Sequence, residues 1–316
     1  MRRIFLLAGI FISMQAMAQD STMNSLTKDM DKASDEKKPT KIFNSERTIN
    51  ANTTETVGKG KMDFKVTHNF SDIAGDNGGI KNFFGLDNAE DVRIGFQIGL
   101  GKRFDLVAAR AKGTDAGKQQ RLWELGFKYK LLEQIDNDPS HPLSIALFAN
   151  IVAASNKASG QDSTENNYDG FSDRLSETLQ LIIAKKFGRV SIQLNPTLVT
   201  RGYAIPYDQK SIFALGGAVR LPLSRSINLI VDYFHPFHKE ASKNSFKSIQ
   251  GIKFHDPLGI GFEFLTAGHV FHLNFTNATE ILENRFIPRT TRSWGDGEFR
   301  WGFTISRTFV LWREKK

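Results

Sequence analysis

Twelve stretches of this 316-residue chain alternate apolar and polar residues with a period of two, and the segments joining them are short and long in strict turn. The stretches fall at about 62–70, 92–101, 103–110, 121–131, 143–152, 175–186, 188–199, 212–221, 227–234, 258–266, 269–276 and 299–312. Short joins follow the second, fourth, sixth, eighth and tenth: Gly101-Lys102, a turn around Asp136 to Pro142, Phe187-Gly188, Pro222-Leu223-Ser224 and Ala267-Gly268. The other joins are longer and polar, as in SNKASGQDSTENNYDGFSDR. Period two gives every strand one apolar face and one polar face. An even set of such strands, with tight turns at one end and long loops at the other, has the layout of a bacterial outer-membrane barrel, with turns in the periplasm and loops outside.

The residue types on each face say what that face meets. In VRIGFQIGL, Val92, Ile94, Phe96, Ile98 and Leu100 alternate with Arg93, Gly95, Gln97 and Gly99. The fourth stretch sets Trp123, Leu125, Phe127, Tyr129 and Leu131 against Glu124, Gly126, Lys128 and Lys130, and the last begins with Phe299, Trp301, Phe303 and Ile305 against Arg300, Gly302 and Thr304. Strands of a soluble β-sandwich alternate too, but they usually run about five or six residues. Several stretches here reach nine to twelve, which is what a tilted membrane strand requires. The expected fold is all-β: a single antiparallel transmembrane β-barrel of about 12 strands, apolar face to lipid and polar face to the lumen. Ile230, Phe234 and Leu265 fall on the polar face, against the period. Arg307 would point into lipid if the last strand kept phase, so a bulge near Ser306 or a shorter strand is expected.

Upstream of the barrel, Arg2-Arg3, the apolar run IFLLAGIFI and Ala16-Met17-Ala18 reproduce the three zones of a secretory signal peptide. The expected organisation is a signal peptide at 1–18, a polar N-terminal segment at 19–60 and the outer-membrane barrel at 61–316. Residues 19–60 read as an exposed segment that docks onto the barrel. Within it, NSERTINANTTETV (44–57) offers no apolar face to lipid. It is expected at the periplasmic mouth or inside the lumen, with Glu46, Arg47 and Glu55 meeting inward charges such as Lys65 and Arg300. The chain has no Cys, which excludes disulfides, thiolate chemistry and a lipoprotein anchor. Net charge is +8, yet Lys and Arg are interleaved with acids rather than gathered in a stripe, so nucleic acid is not an expected partner.

On the inward phase lie Asp63, Lys65, Arg93, Glu124, Lys128, Arg220, Asp232, Glu263 and Arg300, the candidate lumen lining. Five bases and four acids give little charge selectivity if a pore is open, and equally suit internal salt bridges that seal it. Eight strands are filled by their own side chains and sixteen leave a channel, so twelve leaves the question open. His235-Pro236-Phe237-His238 lacks a third ligand, His68 reads as an interfacial residue, and Ser224 and Ser306 are nominated as nucleophiles by nothing but their identity. No cofactor or metal is expected.

TVGKGKMDFKVTHNF (56–70), NFFGLDNAEDVRIGFQIGL (82–100), KYKLLEQ (128–134), PLSIALF (142–148) and RWGFTISRTF (300–309) resemble the domain-of-unknown-function 5777 family of outer-membrane β-barrels from Bacteroidota-type bacteria. The resemblance runs over about residues 43 to 312, with FFGLDNA and FxISRxF its most specific patterns. It implies the bacterial outer membrane and the barrel, and brings no activity with it. Such barrels usually stop on an aromatic residue, whereas here Arg313-Glu314-Lys315-Lys316 follows Trp312. The functional expectation is a narrow channel or small-solute uptake protein. Its alternatives are a lipid- or lipopolysaccharide-modifying enzyme and a structural or interaction barrel. Outer-membrane lipid, the barrel assembly machinery and a small solute are the partners expected.

Overall fold

The computed structural model describes residues 38–75, 78–113 and 118–312. The segment read as a signal peptide, residues 19–37 and the charged tail from Arg313 lie outside them. Twelve antiparallel strands form a closed ring: β1 (Lys61–Asp72), β2 (Ala89–Gly99), β3 (Phe104–Gly113), β4 (Leu122–Leu132), β5 (Ser144–Ala154), β6 (Leu175–Phe187), β7 (Val190–Arg201), β8 (Ser211–Pro222), β9 (Ile227–Pro236), β10 (Leu258–Leu265), β11 (His269–Thr276) and β12 (Arg300–Val310). Each strand pairs with its sequence neighbours, and β1 closes on β12 from Lys61↔Val310 to Asp72↔Arg300. Closure leaves no edge strand, which is what lets a sheet sit in hydrocarbon. Among the described residues two α-helices lie in the long loops, α1 (Glu240–Gln250) between β9 and β10 and α2 (Glu283–Arg289) between β11 and β12.

The polarity is that of a soluble protein turned inside out. On β4, Trp123 and Leu125 are 58% and 60% exposed, while Glu124 and Lys128 between and beyond them are 4% and 0% exposed. A sandwich would bury the apolar set. No helix among the described residues is long and apolar enough to cross a membrane; the strands cross instead.

Two phase irregularities have physical causes. Ile230 and Phe234 do point inward, at 1% and 0% exposure, because the lumen holds a second apolar core. There Phe234 meets Phe286 of α2 edge to face, with centroids 5.2 Å apart. Arg307 does not lie at a bulge: β12 keeps register through Phe64↔Arg307 and Lys65↔Ser306, and the irregularity sits at the other end, between Asn69 and Asp72. Arg307 therefore faces outward. Three residues from the strand end, its long stem can carry the guanidinium to the interface, over the Phe309 ring at 5.2 Å.

The N-terminal segment is largely buried from Ile42 to Thr54, while Lys38, Pro39, Lys41 and Lys59 at its ends are exposed. Ile42, Phe43, Ser45, Thr48, Asn50, Ala51, Thr53 and Thr54 are all buried. The chain passes the β4–β5 turn, where Pro39 bridges Ile135. It then rises as a hairpin, bridged at Arg47↔Asn52, and returns to Gly60 to enter β1. Ile42, Phe43 and Ala51 form one apolar cluster with Val199, Ile212, Phe234, Phe286 and Ile287.

Candidate functional site

The lumen is the candidate site, and its first element is the seat for the hairpin. Asp232 on β9 is 1% exposed, and its Oδ2 accepts the Thr48 hydroxyl at 2.6 Å and the backbone N–H groups of Ile49, Asn50 and Ala51 at 2.9, 2.7 and 3.2 Å. Its Oδ1 accepts Asn50 Nδ2 at 2.9 Å. A carboxylate cupped by successive amides at a chain reversal is strongly satisfied. Opposite Asp232 the wall is cut back to Gly259, where an added Cβ would lie 2.9 Å from Ile49 Cγ2.

The rest of the hairpin is held by polar wall residues at many points. Gln193 Nε2 and Asn195 Nδ2 donate to the Asn52 carbonyl at 2.8 and 2.9 Å. Arg220 Nε and the Ser191 hydroxyl donate to the Ile42 carbonyl at 3.0 and 2.5 Å. Lys128 Nζ donates to the carbonyls of Glu46 and Glu55 at 2.8 and 3.2 Å. Lys65 Nζ reaches Ser45 Oγ at 2.8 Å and the Glu46 carboxylate at 3.1 Å, and Asn44 Nδ2 donates to Glu263 at 2.7 Å.

All nine residues named from the inward phase are buried. Lys65, Lys128, Arg220, Asp232 and Glu263 touch the hairpin. Arg93 and Glu124 pair with each other at 2.8 Å, Asp63 lies 3.6 Å from Lys65, and Arg300 pairs with Asp72 at 2.6 Å. Of the charge contacts expected for the hairpin, Glu46 meets Lys65. Arg300 is committed to Asp72, and Glu55 turns back to accept the amides of Ile42 and Phe43 at 3.1 and 3.2 Å.

From the loop end a second body enters. Every residue of α2 is buried, including Glu283, Arg285 and Arg289. The Glu165 carboxylate, in the β5–β6 loop, accepts Arg285 Nη1 at 2.7 Å and Arg289 Nε at 2.5 Å. Arg285 continues to Glu280 at 3.1 Å, Glu280 to Lys118 at 3.1 Å, and Arg289 to Asp208 at 3.0 Å. Burial alone would raise the Glu165 pKa, but Arg289, Arg285, Arg201 and Lys118 outweigh it and hold that carboxyl far below its usual range. These loop residues carry no period and escape a reading based on strands. Their only sequence signal is Ile281, Leu282, Phe286 and Ile287 within an otherwise polar loop.

With both bodies in place there is little room. Beside Asp63, Lys65, Arg93 and Gln97 the void is about 20 Å3, space for one or two waters. Nearer the loop end, Thr164, Glu165, Phe246, Gln250 and Arg289 line a cavity of about 260 Å3.

The histidines and serines weighed as chemical groups have structural partners. His235 Nδ1 lies 2.9 Å from Asp256, which also accepts the Tyr233 hydroxyl, whereas His238 stacks on Phe254 at 4.2 Å. His68 stacks on Phe303 with centroids 5.4 Å apart. Ser224 Oγ accepts the amides of Ser226 and Ile227 in the β8–β9 turn, and Ser306 is buried on the inward face of β12. Among the described residues no group of three His, Cys, Asp or Glu is placed to hold a metal ion.

Three solved barrels illustrate the company this fold keeps. An outer-membrane channel from Pseudomonas putida F1 is 12% identical, with a TM-score of 0.48 over 81% of this chain and 98% of that one. A KdgM porin in complex with disordered oligogalacturonate is 7% identical, with a TM-score of 0.45 over 79% of this chain and 99% of that one. The NanC porin is 6% identical, with a TM-score of 0.43 over 79% and 98%. No curated protein matches the sequence. A family model described as a membrane-bound beta barrel domain matches residues 43–309, which takes in both the ring of strands and the hairpin inside it: the chain belongs to the domain-of-unknown-function 5777 family and is an outer-membrane β-barrel protein.

Proposed function

We propose that the protein is a gated channel for small solutes, closed by its own N-terminal hairpin. The observation that carries this reading is how the hairpin is held. It fills the lumen largely through hydrogen bonds to polar wall side chains, and both its ends reach the turn end of the barrel. Water can replace such bonds one for one, so a polar seat releases its occupant at lower cost than an apolar one of equal area.

With the turn end in the periplasm, as short turns are in this class, a solute enters between the loops and meets first the cavity beside Glu165 and Arg289. α2 leans on β6 to β9. The path opened by withdrawing the hairpin therefore runs along β1 to β4, past Asp63, Lys65, Arg93 and Glu124. Those four strands bury Asp63, Asp72, Asp91, Asp105 and Glu124 against Lys65, Arg93 and Lys128, a mixed lining that favours polar solutes, with a mild excess of acids.

Deleting residues 20–57 behind an intact leader tests this directly. The barrel should assemble, and its single-channel conductance in planar bilayers should exceed that of the full chain, which should be mostly closed. A folded deletion protein that conducts no better than the full chain ends the reading.

A further inference from the structure

The outward face at the loop end of β3 to β5 carries a cluster of bases unlike the rest of the wall. Arg110 lies with its guanidinium carbon 4.5 Å over the Trp123 ring, and its Nη1 donates to Ser155 Oγ at 3.2 Å. The same Ser155 hydroxyl donates to the Arg121 carbonyl at 2.7 Å, and Ser155 N–H donates to that carbonyl as well, at 3.2 Å. Ser155 thus ties the Arg110 guanidinium to the backbone of Arg121. Arg121 has φ 52, a left-handed conformation that costs a non-glycine residue free energy and that structures retain where position matters. Extending the register Ala111↔Leu122 by one step sets Lys112, also outward and exposed, opposite Arg121.

Among the described residues none of these three bases has a carboxylate partner. Cations on a lipid-facing surface are costly unless something neutralises them. Directly below, toward the bilayer centre, the wall is hollowed from β3 across to β7. Leu125, Phe127, Ile151 and Leu179 wall a concavity of about 680 Å3 floored by Ala149. Arg110 is two residues above Ala108, which pairs with Leu125, so the bases overlook the groove from about 7 Å up the wall. The acid lining the groove, Glu177, stands on β6, three strands from Arg110 and about 14 Å across the sheet.

We propose that this face binds a phosphate-bearing lipid of the outer leaflet, its headgroup on Arg110, Lys112 and Arg121 and an acyl chain in the groove over Ala149. Planar guanidinium groups match phosphate oxygens in pairs, and the indole of Trp123 sits at the depth where headgroup meets chain. The site is on the outside of the wall and does not depend on whether the lumen conducts.

Native mass spectrometry of the detergent-purified full chain, with bisphosphorylated lipid A as probe, reads the proposal out. Wild type should retain the lipid. Arg110→Gln with Arg121→Gln should lower its affinity about 25-fold, two basic residues each contributing a factor of about five near an anionic surface. Ala149→Phe, which fills the groove and leaves the bases in place, should weaken lipid A binding too, and millimolar inorganic phosphate should not displace the lipid from wild type. Equal retention by the double variant, migrating as a folded heat-modifiable barrel, overturns the proposal. So does displacement by inorganic phosphate, which would mark a free-anion site, or full retention by folded Ala149→Phe, which would leave the chain without a groove.

Discussion

The Arg47 guanidinium lies 2.8 Å from the Glu283 carboxylate, both buried, and this pair joins the two bodies that fill the lumen from opposite ends. Arg47 Nη2 also donates to the carbonyls of Asn50 and Ile281 at 2.9 and 2.7 Å, so it braces its own hairpin and the approach to α2 together. Asn52 Nδ2 adds a bond to the same carboxylate at 3.0 Å. Removing one partner of a buried pair costs about 3 to 5 kcal/mol because the other charge is stranded. Glu283→Gln should therefore raise the open fraction of the channel, measured as time-averaged current. Arg47→Met with Glu283→Met should open it less than either single change, the sign expected of a pair whose partners are each costly alone.

Asp232 offers a second handle on the hairpin. Asp232→Asn keeps the shape but loses the charge behind several short bonds and presents an amide where an acceptor is needed, at a cost of about 1.5 to 3 kcal/mol per charged hydrogen bond affected. The barrel should still form. Hydrogen exchange at Ile49 to Ala51 should accelerate relative to wild type while exchange in β6 and β7 stays slow; unchanged protection at those three amides would show that the seat lies elsewhere.

Lys128 and Phe127 are neighbours with opposite duties. Phe127→Arg puts a charge on the lipid face and should cost about 2 to 4 kcal/mol if near the bilayer midplane, seen as loss of heat-modifiable folded barrel. Lys128→Gln should assemble well, yet it removes the cation that holds the Glu46 and Glu55 carbonyls, so it should conduct more than wild type. Equal folded yields from both variants would refute the face assignment on β4.

Orientation is open to labelling, since the chain has no native Cys. Lys157 in the β5–β6 loop and Gly188 in the β6–β7 turn are both exposed. In intact cells an impermeant thiol reagent should modify Lys157→Cys and spare Gly188→Cys. The reverse pattern would invert the barrel.

Acid should loosen the loop end. His238 is half-buried beside Phe254, and its loss of water, with Arg289, Lys243 and Arg201 nearby, outweighs the pull of Asp208 and pushes its pKa down to about 4. An unfolded loop would bind the proton at about 6.5. Between those values the open loop takes up a proton that the closed one refuses, so closed-state stability falls as pH drops from about 6.5 towards 4 and is unaffected above. Hydrogen exchange in residues 238–256, corrected for its intrinsic rate, should rise over that window in wild type and stay flat in His238→Phe.

Much of this was legible in the strands, where burial and phase are coupled by the pleat: Glu124 against Leu125 already says which side is wet. Ile230 and Phe234 carried more than they seemed to, since two apolar residues facing a polar lumen imply something apolar within it. The filling itself is legible only weakly. Residues 42–54 have the composition of a solvated tether, because the groups that bury them are wall side chains such as Gln193, Asn195 and Asp232, far away in sequence. Arg285 and Arg289 stand four apart on one helical face, but of their acids only Glu280 is in the same loop; Glu165 and Asp208 come from two others, and no local pattern announces a pairing made by closure of the ring.

Because the hairpin runs directly into β1, the opening we propose would leave it a stopper on a leash. Its seat meets it at an effective concentration of the order of millimolar, set by the short connection and not by how much protein is present. Reclosure is then a first-order event, as fast in a dilute membrane as in a crowded one. A detached peptide spanning residues 39–57 would have to be supplied at about that same millimolar level to silence a barrel from which the segment had been removed.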